Sequence, residues 1–202
     1  MWRLSPSKLD SYLAFKYDKY GTSLEDYLQQ IRGVFEPTEA MKRGTAIHKV
    51  LEDPMTKDIF DLLPEELEQI KEIGSMIPKG IVNEMFVGYT MEDIRYNMFV
   101  DRIVGRQVHD FKTGHRYSGV EAYDGSMQWR LYLLGTGCTE FIYHVITYGE
   151  TFPATFTYHN PFSFYPYKGM EREVLQVSRD FIEFCIHHHV EGFITEKPRG
   201  ES

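Results

Sequence analysis

The stretch Phe99-Val100-Asp101-Arg102-Ile103-Val104-Gly105-Arg106-Gln107-Val108-His109-Asp110-Phe111-Lys112-Thr113-Gly114 brings two carboxylates and an ammonium into one short segment. Gly105-Arg106 is a Gly-X pair suited to a two-residue type II′ hairpin turn. With that turn, Val104 faces Gln107, Ile103 faces Val108, Arg102 faces His109, and Asp101 falls opposite Asp110. Directly opposed Cβ atoms lie about 4.5–5.5 Å apart, and like charges there repel. A divalent cation between the carboxylates would turn that repulsion into ligation by hard oxygen donors, as Mg2+ or Mn2+ prefers. Lys112 lies two residues past Asp110 and shares its strand face. The carboxylates should favour its charged form, which suits an electrostatic role better than that of a general base. The alternative for the same residues is a solvated ion-pair cluster on an antiparallel hairpin.

Other residues have the right chemistry to join such a centre. His48, in Gly44-Thr45-Ala46-Ile47-His48, offers an imidazole on an expected helix, either as a metal ligand or as a structural histidine. Gln128 and Tyr132 are four apart on one helix face, with Arg130 pointing elsewhere, and a polar stripe beside the core is the competing reading. Lys42 and Arg43 could touch phosphate or simply be solvated. Cys185, His187, His188 and His189 are set aside as a metal cluster, because consecutive helical residues diverge by about 100°. Phe162, Phe164, Tyr165 and Tyr167 could stack on single-stranded bases, form a packed lid, or contact another subunit.

These residues need elements to position them. Ser5-Pro6-Ser7 before Leu9, Tyr12, Leu13 and Phe15 predicts a capped helix running to about Lys19. Leu24, Tyr27, Leu28 and Ile31 predict a second helix, Met41 to Glu52 a third, and Asp58 to about Met76 a fourth with Phe60, Leu63, Leu67 and Ile70 inward. After Pro78-Lys79-Gly80 the texture changes. Residues 81–89 and 94–112 read as strands, as do 140–148 and 154–159. A helix from about Ser126 to Leu134 stops at Gly135 and Gly137. A loop from Pro161 to Gly169 leads to a last helix over about Glu171 to His189. The expected architecture is one α/β domain over 1–202, with a helical part at about 1–77, a sheet and site core at about 78–160, and a C-terminal helix at about 171–189.

Bulk properties narrow the classes. A chain of 202 residues with 42% hydrophobic and 15% aromatic residues can bury a sizeable core. The opening Met1-Trp2-Arg3-Leu4-Ser5-Pro6 lacks a signal-peptide apolar run, and no stretch is long enough to span a bilayer. Cys138 and Cys185 lie far apart, so neither a disulfide framework nor a cysteine-held cluster is expected, in keeping with a reducing cytoplasm. The net charge of −8 argues against a broad DNA-coating role, although a local basic groove remains compatible with it.

Taken in order, the opening Ser5-Pro6-Ser7-Lys8-Leu9 helix, Gly44-xxx-His48, Val100-Asp101, Asp110-Phe111-Lys112-Thr113-Gly114 and Gln128-xxx-Tyr132 resemble the PD-(D/E)xK nuclease superfamily, in its RecB-like branch. The likeness spans roughly residues 4 to 133. It implies a restriction-endonuclease-like core with a small mixed sheet flanked by helices. His48, Asp101, Asp110 and the Phe111 backbone carbonyl would then be metal ligands, with Lys112 the catalytic lysine and Gln128 and Tyr132 holding DNA. Glu84, in the first long strand, stands roughly where relatives often place an acid, and Arg43 is a candidate DNA contact. The implied cofactor is Mg2+ or Mn2+. The implied substrate is DNA, at linear ends or in single strands, attacked by an exonuclease in recombination, repair or degradation. A homo-oligomer ring or a recombination partner protein could assist, in a bacterial or phage-infected cytoplasm and with no membrane. Relatives with an iron–sulfur cluster use cysteines after the first helix and near the C-terminus. Here the first region reads Phe15-Lys16-Tyr17-Asp18-Lys19-Tyr20 and the second holds only Cys185, so no such cluster is expected and a compact, phage-exonuclease-like relative is the nearest likeness. A restriction-type or junction-resolving endonuclease is the rival enzyme, and a non-catalytic binding module on the same fold is the rival outside catalysis.

Overall fold

The computed structural model describes residues 1–34, 36–56, 62–80 and 82–195. Helix α1 (Pro6–Lys16) starts where the sequence predicts, with the Ser5 hydroxyl accepting from the Lys8 N–H. It ends three residues early, because Asp18 takes a left-handed backbone at φ +50° that cannot continue a helix. Helices α2 (Leu24–Ile31) and α3 (Glu39–Glu52) are capped by Ser23 and Thr38. Helix α4 (Pro64–Met76) begins later than expected. Phe60 and its neighbours over 57–61 lie outside the described residues, and Leu63 is extended. Pro64 then supplies a pre-set first turn without an N–H, and the Glu66 carboxylate accepts from the Leu63 N–H at 3.0 Å.

Seven strands make one mixed sheet: β1 (Trp2–Leu4), β2 (Val82–Met91), β3 (Ile94–Val104), β4 (Gln107–Gly114), β5 (Glu140–Tyr148), β6 (Phe156–Tyr158) and β7 (Phe162–Phe164). β2 pairs antiparallel along nearly all of β3. The other edge of β3 is shared, with β1 on Ile94–Tyr96 and β4 on Arg102–Val104. β4 and β5 run parallel over eight pairs from Gln107↔Glu140 to Gly114↔Thr147. Their crossover carries a short helix α5 (Glu121–Asp124) and α6 (Met127–Thr136), as parallel pairing demands. Strands β6 and β7 share the far edge of β5. Helix α7 (Met170–His187) closes the chain's main elements, and stops at His187 because His189 sits at φ +56°.

The sheet separates two cores. On one side Leu9, Tyr12, Leu131 and Phe181 of α1, α6 and α7 pack with Tyr96, Val100, Val108 and Tyr143. On the other, Ile47, Val50, Leu51, Ile70 and Ile73 of α3 and α4 pack with Phe111, Ile146, Tyr148 and Phe156. The expected layered α/β architecture is therefore found.

The α3–α4 layer is fastened by one buried acid. Glu66 is fully buried, and its carboxylate accepts from the Arg43 guanidinium and the Ala154 N–H, both at 2.7 Å. Burial alone would raise its pKa. The Ala154 and Leu63 N–H groups and Arg43 outweigh that and hold it below the ordinary value. A group lowered on folding contributes stability above its unfolded pKa and loses it as pH falls through the folded one. Glu66→Ala strands Arg43 without its partner, and a cost of about 3 kcal/mol in urea denaturation at neutral pH is expected. The gap between the wild type and Glu66→Ala should shrink as pH drops below the ordinary glutamate range.

Candidate active site

Gly105 takes φ +59° in the tight turn between β3 and β4, and the ladder follows the expected register: Val104↔Gln107, Ile103↔Val108, Arg102↔His109. There it stops, one pair short of Asp101 and Asp110. The Asp101 carboxylate accepts from the Phe111 N–H at 2.9 Å, so a side chain takes the place of the next ladder contact. β2 also breaks at this level: pairs Asn83↔Arg102 and Met85↔Val100 bracket Glu84, whose backbone turns left-handed at φ +50°. Asp101 is thus held at an interruption on both edges of β3. The physical reason is the one that made the pair suspect, since two anions in direct cross-strand contact repel. The carboxylates still sense each other. Burial first, and then Asp110, push the Asp101 carboxyl well above the usual range, against the opposing pull of the Phe111 N–H and Lys112.

Asp110 is 1% exposed. Its Oδ2 lies 2.7 Å from Lys112 Nζ, and its Oδ1 accepts from Gln128 Nε2 at 2.8 Å. Burial would lower the Lys112 pKa, but Asp110 above all, with Asp101 and Asp10, reverses that and holds the ammonium charged. Gln128 also donates to the Tyr132 hydroxyl at 3.2 Å, and Tyr132 donates to the Phe99 carbonyl of β3. The Gln128–Tyr132 stripe therefore clamps Asp110 to β3. Helix α6 is itself anchored by α1, because the Asp10 carboxylate takes the Ser126 hydroxyl at 2.7 Å and the Met127 N–H at 2.6 Å.

His48 reaches the same place from α3. A Cβ on Gly44 would stand 2.9 Å from Thr113 Oγ1, so glycine lets α3 lie close against β4. One turn on, His48 Nδ1 comes within 3.9 Å of Asp101 Oδ2. Burial keeps the imidazole below its ordinary pKa, hence neutral and able to donate a lone pair. Glu52, one further turn along α3, completes the group. His48, Glu52 and Asp101 each present a ligand atom, and these three atoms lie within 4.8 Å of one another. Sequence reasoning missed Glu52, although its spacing of four from His48 marks the same helix face. Burial, then Glu84, raises the Glu52 pKa. Glu84 itself is exposed and stands outside the three. Arg102 ties the elements together, donating to the Leu51 carbonyl at the end of α3 at 2.7 Å and to the Pro78 carbonyl at 3.0 Å.

Other candidates take structural places. Arg43 is committed to Glu66 and lies 5.0 Å over the Tyr148 ring, while Lys42 pairs with Glu39. Arg130 binds the Asp124 and Ser126 carbonyls and pairs with Glu173. Phe164 stacks on Trp129 at 4.7 Å and Phe162 packs on Tyr143, the lid-like arrangement, with Tyr165 left exposed. Cys138 and Cys185 are free and buried.

The donors are carboxylate oxygens and one neutral imidazole, a set that suits a hard or borderline divalent cation. A cation would also offset the crowding of Asp101 by Asp110. The residues fit such an ion.

No protein-family model matches the chain, and no curated protein sequence matches it. Among solved structures it is similar to a proposed exonuclease from Eubacterium rectale, at 14% identity and a TM-score of 0.54, with 98% of this chain and 85% of that one covered. It is also similar to LHK-Exo in complex with dAMP, at 15% identity and a TM-score of 0.51, covering 93% and 89%. At such low identity the shared property is the fold, a mixed sheet flanked by helices, traced over nearly the whole chain.

Proposed function

We propose that residues 1–202 form a single divalent-metal-dependent deoxyribonuclease domain of the PD-(D/E)xK superfamily, in its RecB-like branch, that degrades DNA from an end. The observation that carries this reading is the convergence of Asp101, Asp110, Lys112, His48 and Gln128 from four separate elements, α3, β3, β4 and α6, at a break in the β-ladder. The two fold neighbours support it, since one is named as an exonuclease and the other holds dAMP. Mg2+ or Mn2+ is the proposed cofactor, with DNA recombination, repair or degradation in a bacterial or phage-infected cytoplasm as the setting. The described helices include none long and apolar enough to cross a membrane.

In this mechanism His48, Glu52, Asp101, Asp110 and the Phe111 carbonyl would hold the cation. When bound, it polarises the scissile phosphate and makes a water more acidic. Lys112 stays protonated beside Asp110 and places its ammonium where charge grows on the phosphoryl oxygens. Gln128 fixes the Asp110 rotamer, and Tyr132 fixes Gln128, so the carboxylate is oriented before substrate arrives. Glu84, at the rim beside Glu52, is the outlying acid of the group.

The test is incubation with linear and closed circular DNA in Mg2+, Mn2+ or chelator. Loss of linear DNA alone, in metal only, is the expected result. Cutting of circles would identify an endonuclease, and binding without any cutting would identify a non-catalytic module. Lys112→Ala should keep the wild-type circular dichroism spectrum and lose cleavage by roughly 10²–10³ or more; full activity in that variant would place the chemistry elsewhere.

A second expectation separates the two outer acids. Glu52→Gln should raise the metal concentration for half-maximal cleavage by about tenfold or more, whereas Glu84→Gln should move it clearly less. The reverse ranking would make the left-handed Glu84 the ligand and Glu52 its neighbour.

A further inference from the structure

A cavity of about 750 Å3 adjoins the site, bounded by the end of α1, the loop after it and the α5–α6 turn. Its lining includes Lys112, Gln128 and Tyr143 of the site elements together with Tyr17, Lys19 and Tyr20 of the α1 end and loop. The volume is in the range of roughly 300–1,000 Å3 that takes a small organic ligand, enough for a splayed nucleotide. Tyr17 and Tyr20 are 72% and 71% exposed. Among the described residues neither ring stacks on another aromatic ring. The left-handed backbone at Asp18 ends α1 and turns this Tyr-Asp-Lys-Tyr loop. Lys19 Nζ sits 5.5 Å from the Tyr20 ring centroid, so a cation and a π-face are offered together.

The charged residues that line the cavity are few in a chain of net charge −8. Lys19 and Lys112 are the cations, Lys112 being paired with Asp110, and Asp10 is the acid. The Asp10 carboxylate is already engaged by the Ser126 hydroxyl and the Met127 N–H. A cationic groove with aromatic faces and no rigid hydrogen-bonding pattern binds unpaired strands without regard to sequence. A base still within a duplex has its faces covered by its neighbours, so only an unpaired end can use the tyrosines.

The geometry points to a single-strand groove: the unpaired strand leading to the scissile phosphate stacks its bases on Tyr17 and Tyr20, while Lys19 meets its phosphates. This rests on the nuclease reading and adds the preferred substrate, a frayed or single-stranded DNA end.

The experiment titrates the full chain against a fluorescent oligothymidylate in chelator, so that no cleavage intrudes. Tyr17→Ala/Tyr20→Ala should weaken binding on the order of ten- to a hundredfold, and Tyr17→Phe/Tyr20→Phe should keep it near wild type. Lys19→Gln should make the dependence of log affinity on log salt shallower by about 0.7. With metal, the double alanine variant should raise KM for single strands more than it lowers kcat. Unchanged affinity in the double alanine variant, equal loss in the double phenylalanine variant, or no binding by the wild type would each overturn the groove. A wild type that binds the oligonucleotide yet cleaves nothing in any metal would sink the nuclease reading and leave the groove standing.

Discussion

Two carboxylates that approach each other away from water set the terms for the rest of this molecule. Asp101 and Asp110 come from strands that would ordinarily run side by side, yet the strands part there. A cross-strand anion pair costs free energy, and a buried unpaired charge costs more. The chain answers with compensations: an N–H from Phe111 for Asp101, and Lys112 with Gln128 for Asp110. Each of these is made possible by something farther away. Gln128 needs α6 in place, α6 needs the Asp10 anchor from α1, and His48 needs Gly44 to let α3 close on β4.

The site thereby lies at the seam between the two cores. α6 and α1 belong to the larger one, and α3 and α4 to the one built on Phe111 and Ile146. Each layer delivers one jaw: Gln128 and Tyr132 from one side, His48 and Glu52 from the other. Since the jaws sit on helices packed against strands, their positions are set by close-packed interiors rather than by loops. Arg102 ties the α3 jaw to β3, because it sits next to Asp101 and donates to the Leu51 carbonyl near the end of α3.

Local signals in the sequence were legible where local physics decides. The Gly105-Arg106 turn gives the hairpin register, and the Ser5 cap marks the start of α1, whereas the Thr38 cap sets α3 two residues ahead of the expected Met41. Legibility failed where a distant partner decides. The end of the ladder at Asp101 depends on an N–H across the hairpin and a left-handed Glu84, neither of which periodicity encodes. Arg43 reads as a free cation until Glu66, far along the chain, is seen beneath it. β1 and β7 have three residues each, too few for a pattern, and exist because β3 and β5 leave edge length unpaired. Glu52 was visible in spacing but had no motif to draw attention to it.

The surplus of acid in the chain is then less paradoxical than it looks. Some of the acids hold elements together, Glu66 with Arg43, Asp180 with Lys16, Glu173 with Arg130, Glu92 and Asp93 with Arg179, although each pair also uses a cation and so leaves most of the net −8 elsewhere. Those pairs have little far field, since opposite charges a few ångströms apart look neutral beyond a Debye length of about 8–10 Å. What a polyanion meets at the mouth of the proposed groove is the local balance, where Lys19 lies beside Tyr20, Lys112 is paired with Asp110 and Asp10 is already hydrogen-bonded. A negative total then works against adhesion anywhere else on the surface. On the proposed nuclease reading, a negative net charge works against coating of a duplex and favours engagement of an end.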